Sequence, residues 1–496
     1  MDELSTKKIS AESIYVGRKN EENISNKITS VSNGNEIGSV SFDDPLIIKN
    51  ALEKNKLCIW NKYTFKERSN ILIKIANDIE NDPYELVYFL INEAGKTVQN
   101  AMDEIREAVD FLRYYSQQIN EIVSDKELQG PTGEKNNISY TPKGRFLCIS
   151  PWNFPVAILI GQISAALVSG NNVIIKPSEM TSILGFLVVK IFHKNGVPIE
   201  ALQLVLGDGM YGDVLTKIPN INGVAFTGSL STAKKIQMNL IKHQKEIIPL
   251  IAETGGINAM IVDSSALLEQ VTDDVIRSAF DSSGQRCSAL RVLCIQEEIY
   301  DDLFNMIKGN MIIQELGDPN NFSTDIGPII NKQAHRKLKN YIQSCKDKNM
   351  NVVQFEGSCE DTHISPTLIE IQKISDIKEE QFGPILHVLK YKFNEMENII
   401  GQINKSGYGL TMGIHSRIES RADFIGENSN IGNIYINRDM VGAVVGSQPF
   451  GGIGLSGSGF KAGGPNYLLQ FLNEKVVSKN SVAFGGNTEL LNLQED

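Results

Sequence analysis

The segment Ser283-Gly-Gln-Arg-Cys-Ser288 sets a cysteine in a polar, glycine-containing turn. Of the six cysteines, Cys58, Cys148 and Cys294 sit in apolar runs, where a thiol is usually a small hydrophobe. Cys345 and Cys359 fall in charged stretches that read as exposed, with no chemical partner nearby in sequence. Cys287 is therefore the candidate nucleophile, and a nucleophilic thiolate needs a base or a positive environment. The six histidines stand singly with no motif around them, which supports neither a thiol–histidine pair nor a His/Cys metal site. Glu253, in Ala252-Glu-Thr-Gly-Gly256, lies between an apolar strand (Ile247 to Ile251) and a Gly-Gly turn. Partial desolvation there raises a carboxyl group toward general-base range, although a strand-capping carboxylate would look the same. Asn153, in Pro151-Trp-Asn-Phe-Pro155, follows a strand and could aim its amide NH2 at a developing oxyanion, or serve only the turn.

Two further patterns suit a nucleotide. Lys176-Pro-Ser-Glu179 directly follows an apolar run, and an acidic residue there can accept from both ribose hydroxyls of an adenosine while repelling a 2′-phosphate. Gly228-Ser-Leu-Ser-Thr-Ala233 opens a helix after the strand Gly223 to Thr227, so its backbone N–H groups could hold a pyrophosphate. It is not a G-x-G-x-x-G fingerprint and carries little weight alone.

These residues need a scaffold. Apolar residues recur at three- and four-residue spacing through Leu72, Ile75 and Ile79, and again through Ile105, Val109 and Leu112, which predicts helices between Pro45 and Ser116. From Arg145 onward, short apolar runs (146–150, 172–176, 202–206 and 223–227) alternate with helical stretches, the signature of parallel βαβ units. A doubly wound sheet binds its ligand at the carboxyl ends of such strands, where the polar residues named above fall. The alternation restarts after residue 254 with strands 259–262 and 290–295 and helices 269–280 and 299–307. A last strand-like segment, 473–479, precedes a polar tail and would pair with another element or another subunit. Residues 1–40 show no sustained apolar period and read as an extended N-terminal arm.

The bulk numbers agree with this organisation. A chain of 496 residues exceeds one simple core and predicts two or three packed domains. A net charge of −11 argues against nucleic acid or an anionic membrane as the main partner. Scattered cysteines with no signal peptide predict free thiols and a cytoplasmic location. The longest apolar run, 154–167, is too short to span a bilayer.

Taken in order, Pro151-Trp-Asn-Phe-Pro155, Lys176-Pro-Ser-Glu179, Phe226-Thr-Gly-Ser229, Glu253-Thr-Gly-Gly256, Gly284-Gln-Arg-Cys287, Glu380-Gln-Phe-Gly-Pro384 and Pro449-Phe-Gly-Gly452 resemble the aldehyde dehydrogenase superfamily from roughly residue 45 to 480. The resemblance implies a Rossmann-like parallel-sheet NAD-binding domain, a second α/β catalytic domain and a small β oligomerisation flap. The corresponding extents are an N-terminal arm at 1–40, the NAD-binding domain at 41–252 with 120–142 in the flap, the catalytic domain at 253–445, and a return segment with oligomerisation strand and tail at 446–496. It implies Cys287 as nucleophile, Asn153 with the Cys287 N–H as oxyanion hole, and Glu253 as base. Ile149, Ser150, Trp152, Lys176, Ser178, Glu179, Gly209, Gly228 and Ser229 would contact NAD, with Glu380 and Phe382 on the nicotinamide side. Ala233 departs from the second glycine of many members but is still small. The stretches 251–265, 285–294 and 437–452 are similar to the branch that oxidises L-glutamate γ-semialdehyde, including the dehydrogenase half of bifunctional proline utilization A. In that branch Ser288 and the backbone of Gly442 and Ala443 hold the substrate α-carboxylate, and Phe450 flanks its carbon chain. An ammonium acceptor is unassigned. Asp103 and Glu104 are candidates that read more simply as the solvated face of a helix.

The implied chain is a monofunctional homo-oligomer taking its small-molecule semialdehyde from a separate proline dehydrogenase. Rival readings are a dehydrogenase of another short semialdehyde, a catalytically silent scaffold, and a thiol hydrolase.

Overall fold

Strands buried on both faces read as near-continuous apolar runs, and Arg145–Ile149 and Asn172–Lys176 are buried at every residue. In the computed structural model, which describes residues 6–18, 25–54, 59–124, 126–355, 362–442, 444–480 and 483, they pair in a five-stranded parallel sheet. Its order is Leu250–Thr254, Gly223–Gly228, Arg145–Ile149, Asn172–Lys176 and Leu202–Leu204. The chain runs from Arg145–Ile149 to one edge, then returns to the other side with Gly223–Gly228. The strand order therefore reverses between these two neighbours, and their carboxyl ends open the crevice where such sheets bind ligands.

The helical stretch also forms as the spacing requires. Thr64 starts Phe65–Asn81 with a capping box to Glu67, and Thr97 starts Val98–Ile122 by accepting from Asn100 N. Leu72, Ile75, Ile105 and Leu112 meet in one buried core with the sheet. Val98–Ile122 packs on both Phe65–Asn81 and Ala157–Val168. The apolar run at 154–167 is this last helix, with all but one of its residues buried. No helix among the described residues is long and apolar enough to cross a membrane.

A second sheet has the order Val352–Gln354, Thr367–Ile371, Ile385–Tyr391, Val292–Gln296, Ala259–Val262, Thr411–His415 and Asn433–Ile436, parallel except for its first pair. The helices Leu268–Phe280 and Tyr300–Ile312 pack together beside it, as the resumed alternation predicts. Strand Leu472–Asn480 pairs over its whole length with Glu134–Pro142, which also carries Lys126–Leu128. Leu472–Asn480 is an edge of that three-stranded sheet, so its outer side has no strand partner among the described residues.

Two expectations need correction. The segment before residue 41 is not an extended arm in its described part. Ile9–Ala11, Ser25–Thr29 and Glu36–Ser41 form a three-stranded sheet, and Ile14 bridges Leu204 at the edge of the five-stranded sheet. Its buried apolar residues (Ala11, Tyr15, Ile37, Val40) are too few and too widely spaced to register as a period, yet they suffice to dock short strands. Cys345 is buried, not exposed, because Lys332–Asp347 is amphipathic and turns that position inward with Leu338 and Ile342. Cys58 and Cys359 lie outside the described residues.

Candidate active site

Helix Leu268–Phe280 ends in a turn in which Ser282, Ser283 and Gly284 all take positive φ (52°, 56° and 64°). Two consecutive non-glycine residues there cost on the order of 1–3 kcal/mol each, so the surroundings must hold them. Ser283 Oγ donates to Gly327 O at 2.6 Å, and Ser282 Oγ donates to Asn100 Oδ1 at 2.6 Å. Gln285 Nε2 donates to Pro328 O while its Oε1 accepts from Ile330 N. Beyond the turn, Asn258 Nδ2 donates to the carbonyls of Cys287 (2.6 Å) and Ala289 (2.9 Å). The result is a rigid bend that leaves Cys287 partly accessible, while Cys148, Cys294 and Cys345 are buried.

Glu253 is the penultimate residue of the strand Leu250–Thr254, which begins three residues later than the apolar run 247–251 suggests because Ile247 is exposed. A Cβ on Gly451 would lie 2.8 Å from Glu253 Oε1, and one on Gly457 would lie 2.8 Å from Oε2, so the carboxylate needs glycine on both sides. Gly452 N donates to Oε2 at 3.0 Å. Burial pushes the Glu253 carboxyl up to about 8, against the opposing pull of the Gly452 N–H and Lys461. The same carboxylate acts on Cys287. Burial, then Glu380, Glu253 and Glu107, hold that thiol up at about 12, with the Ser288 N–H working the other way. The two groups therefore share one site, in which the resting thiol is protonated.

Asn153 is buried in the loop between Arg145–Ile149 and Ala157–Val168. Its neighbours tie this loop to both other motifs. Trp152 meets Phe382 edge-on at 5.6 Å, and the Phe154 ring faces Arg286, the residue before Cys287, at 5.6 Å. Glu380 is clamped by Arg291, whose Nη2 and Nε lie 3.0 and 3.2 Å from Oε1. Arg291 also donates to the carbonyls of Gly284 and Arg286, so one guanidinium binds the Cys287 turn to the Glu380 loop. Glu380 packs so tightly that a Cβ on Gly255 would sit 1.9 Å from its Oε2.

Of the proposed substrate contacts, Ser288 is buried beside Cys287, its carbonyl accepting from Thr411 Oγ1. Gly442 takes φ 86°, and its carbonyl accepts from Tyr435 Oη at 3.3 Å. Burial raises the Tyr435 hydroxyl to about 12, with Arg438 opposing and Cys287 adding to the rise, so the Gly442 loop and Cys287 flank one tyrosine. Phe450 pairs with Ala462 just before Gly451. Ala443 lies outside the described residues.

The nine residues assigned to the dinucleotide (Ile149, Ser150, Trp152, Lys176, Ser178, Glu179, Gly209, Gly228 and Ser229) line one cleft of about 370 Å³ at the carboxyl ends of the strands. Their state suits a ligand of that class. Ser150 Oγ is buried with no hydrogen-bond partner, and a Cβ on Gly209 would meet nothing within 4 Å. Lys176 is buried 3.6 Å from the half-exposed Glu179. Burial lowers the Lys176 ammonium and the Glu179 charge opposes this.

Some groups escaped the sequence reading. Asp213 and Asn239, on Gly209–Leu215 and Leu230–His243, complete a wall of the cleft, and neither belongs to a motif. Glu107 is half-buried and acts on Cys287. Burial and Glu104 push its carboxyl up to about 7, against Lys96 and Arg286. Helical spacing alone would have put it on the face of Glu104. Glu104 itself is not solvated but fully buried, with Lys96 at 2.8 Å.

A model of the aldehyde dehydrogenase family matches residues 20–477. The bifunctional protein PutA of Klebsiella aerogenes is 46% identical over 442 residues, which are 87% of this chain and 33% of that protein. This chain thus spans about a third of the length of such bifunctional relatives. The 1-pyrroline-5-carboxylate dehydrogenase of Geobacillus thermodenitrificans is 33% identical over 91% of this chain and 90% of its own. The solved structure of a mutant of the Thermus thermophilus 1-pyrroline-5-carboxylate dehydrogenase superposes with a TM-score of 0.90 at 29% identity, covering 96% of this chain and 94% of that one.

Proposed function

The chain belongs to the aldehyde dehydrogenase family, and from that premise we propose that it oxidises L-glutamate γ-semialdehyde to L-glutamate with NAD+. The observation that carries this reading is the pairing of an accessible cysteine with a desolvated glutamate beside a nucleotide-sized cleft. The substrate follows from relatives named 1-pyrroline-5-carboxylate dehydrogenase along nearly their full length, and from the groups around Cys287. Backbone N–H groups of the Gly442–Ala443 loop and Ser288 hold the α-carboxylate. Glu107 is the acceptor for the α-ammonium, being a half-buried carboxyl group close enough to act on Cys287 without belonging to its machinery. Phe450 lines the chain between them.

In this mechanism Cys287 releases its thiol proton to solvent, the thiolate Sγ bonds to the aldehyde carbon, and the carbonyl oxygen takes the electron pair of the broken π bond as a hemithioacetal oxyanion. Asn153 and the Cys287 N–H stabilise that charge, an effect worth about 100- to 1,000-fold in rate per donor. When bound, NAD+ would supply the hydride acceptor and a positive charge near a thiol otherwise ringed by carboxylates. Lys176, Ser178, Glu179, Gly209, Gly228 and Ser229 would hold it, with Ile149, Ser150 and Trp152 in the same cleft and, across the Trp152–Phe382 contact, Phe382 and Glu380 on the nicotinamide side. Glu253 takes a proton from water, the hydroxide adds to the resulting thioester, and Cys287 leaves as L-glutamate is released.

The same reading divides the chain into an NAD-binding domain to 252 and a catalytic domain to 445. It makes the outer edge of Leu472–Asn480 the oligomer contact, the compartment the cytoplasm, and a separate proline dehydrogenase the source of substrate.

Two measurements test specificity. The kcat/KM for glutamate semialdehyde is expected to exceed that for succinic semialdehyde by about 100-fold, because the latter leaves Glu107 unpaired at a cost near 2–3 kcal/mol; equal values would overturn the substrate assignment. Glu179 should set the cofactor. Glu179→Gln is expected to improve kcat/KM for NADP+ relative to NAD+ by about tenfold, ~1.4 kcal/mol, by removing a like charge from the 2′-phosphate. An unchanged ratio would remove Glu179 from that role.

A further inference from the structure

Residues four and then three apart share one face of a helix, and Asn100, Glu104 and Glu107 follow that spacing along Val98–Ile122. Asn100 braces the nucleophile turn, its Nδ2 donating to Asp281 Oδ1 at 2.8 Å while its Oδ1 accepts from Ser282 Oγ. Glu104 reaches a different partner. Its Oε1 accepts from Val156 N at 2.8 Å and from Ala157 N at 3.1 Å, and its Oε2 faces Lys96 Nζ at 2.8 Å. Those two N–H groups open the helix Ala157–Val168, whose N-cap residue Val156 offers no side-chain acceptor of its own. Burying a lysine–glutamate pair this completely is costly, and no step of the mechanism above uses it.

Its location explains the expense. Val156 is three residues from Asn153, and the intervening Phe154 ring has Lys96 Nζ at 4.1 Å and the Arg286 guanidinium at 5.6 Å. We propose that Glu104, held by Lys96, is a positioning residue that fixes the Asn153 loop relative to Cys287. The proposal rests on reading Asn153 as the oxyanion donor. Such a donor acts only within about 2.7–3.1 Å of where the oxyanion forms, and the loop reaches the nucleophile from a different sheet, so something must hold its register. One helix does so from adjacent turns, through Asn100 to the turn of Cys287 and through Glu104 to the loop of Asn153.

The test is a double-mutant cycle read by the pre-steady-state burst of NADH, which reports formation of the thioester. Glu104→Ala is expected to slow the burst by about 10- to 100-fold, the scale of a misplaced reacting group, with the NAD+ Kd unchanged. In the Asn153→Ala background the same substitution should slow it by less than about twofold, since the donor it aligns is gone. Glu104→Gln keeps one oxygen for the two N–H groups and should show the same coupling with a smaller loss, so the cycle stands even if the alanine variant does not fold. Equal losses from Glu104→Gln in both backgrounds, or none in either, would overturn the positioning role alone. An Asn153→Ala enzyme with a wild-type burst would overturn the oxyanion assignment and the positioning role together.

Discussion

Cys287→Ala is expected to lower NADH formation by a factor on the order of 10⁴ or more while leaving the NAD+ Kd within about twofold of wild type. The size follows from the absence of a substitute. The other described cysteines are buried, Cys148 and Cys294 within strands and Cys345 on the inner face of a helix, so none can reach an aldehyde at the mouth of the cleft. Removing one sulfur from a turn fixed by Asn258, Arg291 and Gln285 leaves the backbone frame in place. Cofactor binding should therefore survive, since the cleft is lined by residues of the other sheet. Steady-state rates together with a fluorescence titration of NAD+ check both halves. Turnover within tenfold of wild type would remove Cys287 from the reaction.

Glu253→Gln should separate the two halves of the reaction. Thioester formation yields one NADH per site, but its hydrolysis then lacks a base, so a burst is followed by a steady state about 100- to 10,000-fold slower than wild type. The pH dependence has a definite sign. Burial holds the Glu253 carboxyl at about 8, and a general base works only when ionised, so the wild-type hydrolytic rate climbs as pH rises through about 8 and levels above it. A glutamine cannot titrate, and its slow steady state should lose that limb. Stopped-flow traces across pH 6.5 to 9.5 would show it; an identical limb in both enzymes would assign the titration elsewhere.

Much of this site is legible in the sequence alone. Cys287 stands apart because its turn is polar, and Glu253 because a charge at the end of an apolar strand must be desolvated. Both signals are local, and the structure adds the glycines that seat Glu253. The parallel strands are legible for the same reason, since burial on both faces writes itself into the sequence as a continuous apolar run. What escapes is non-local. Glu104 and Glu107 lie on a helix that reads as charged on its outer face, and only the packing of Ala157–Val168 against it turns that face inward. Arg291 sits one strand start beyond the nucleophile and has no motif, yet it joins two loops almost a hundred residues apart in sequence. The N-terminal sheet escapes because three short strands with only Ala11, Ile37 and Val40 as buried apolar side chains carry too little periodicity.

The central claim is that oxidation proceeds through a glutamyl thioester on Cys287. Its most direct test is to mix Glu253→Gln enzyme with NAD+ and glutamate semialdehyde, quench in acid during the slow phase, and locate the adduct by peptide mass spectrometry. The expected result is a stoichiometric glutamyl adduct on the peptide carrying Gln285-Arg-Cys-Ser288, absent when NAD+ is omitted. An unmodified Cys287, or an adduct on any other residue while NADH is formed, would contradict it.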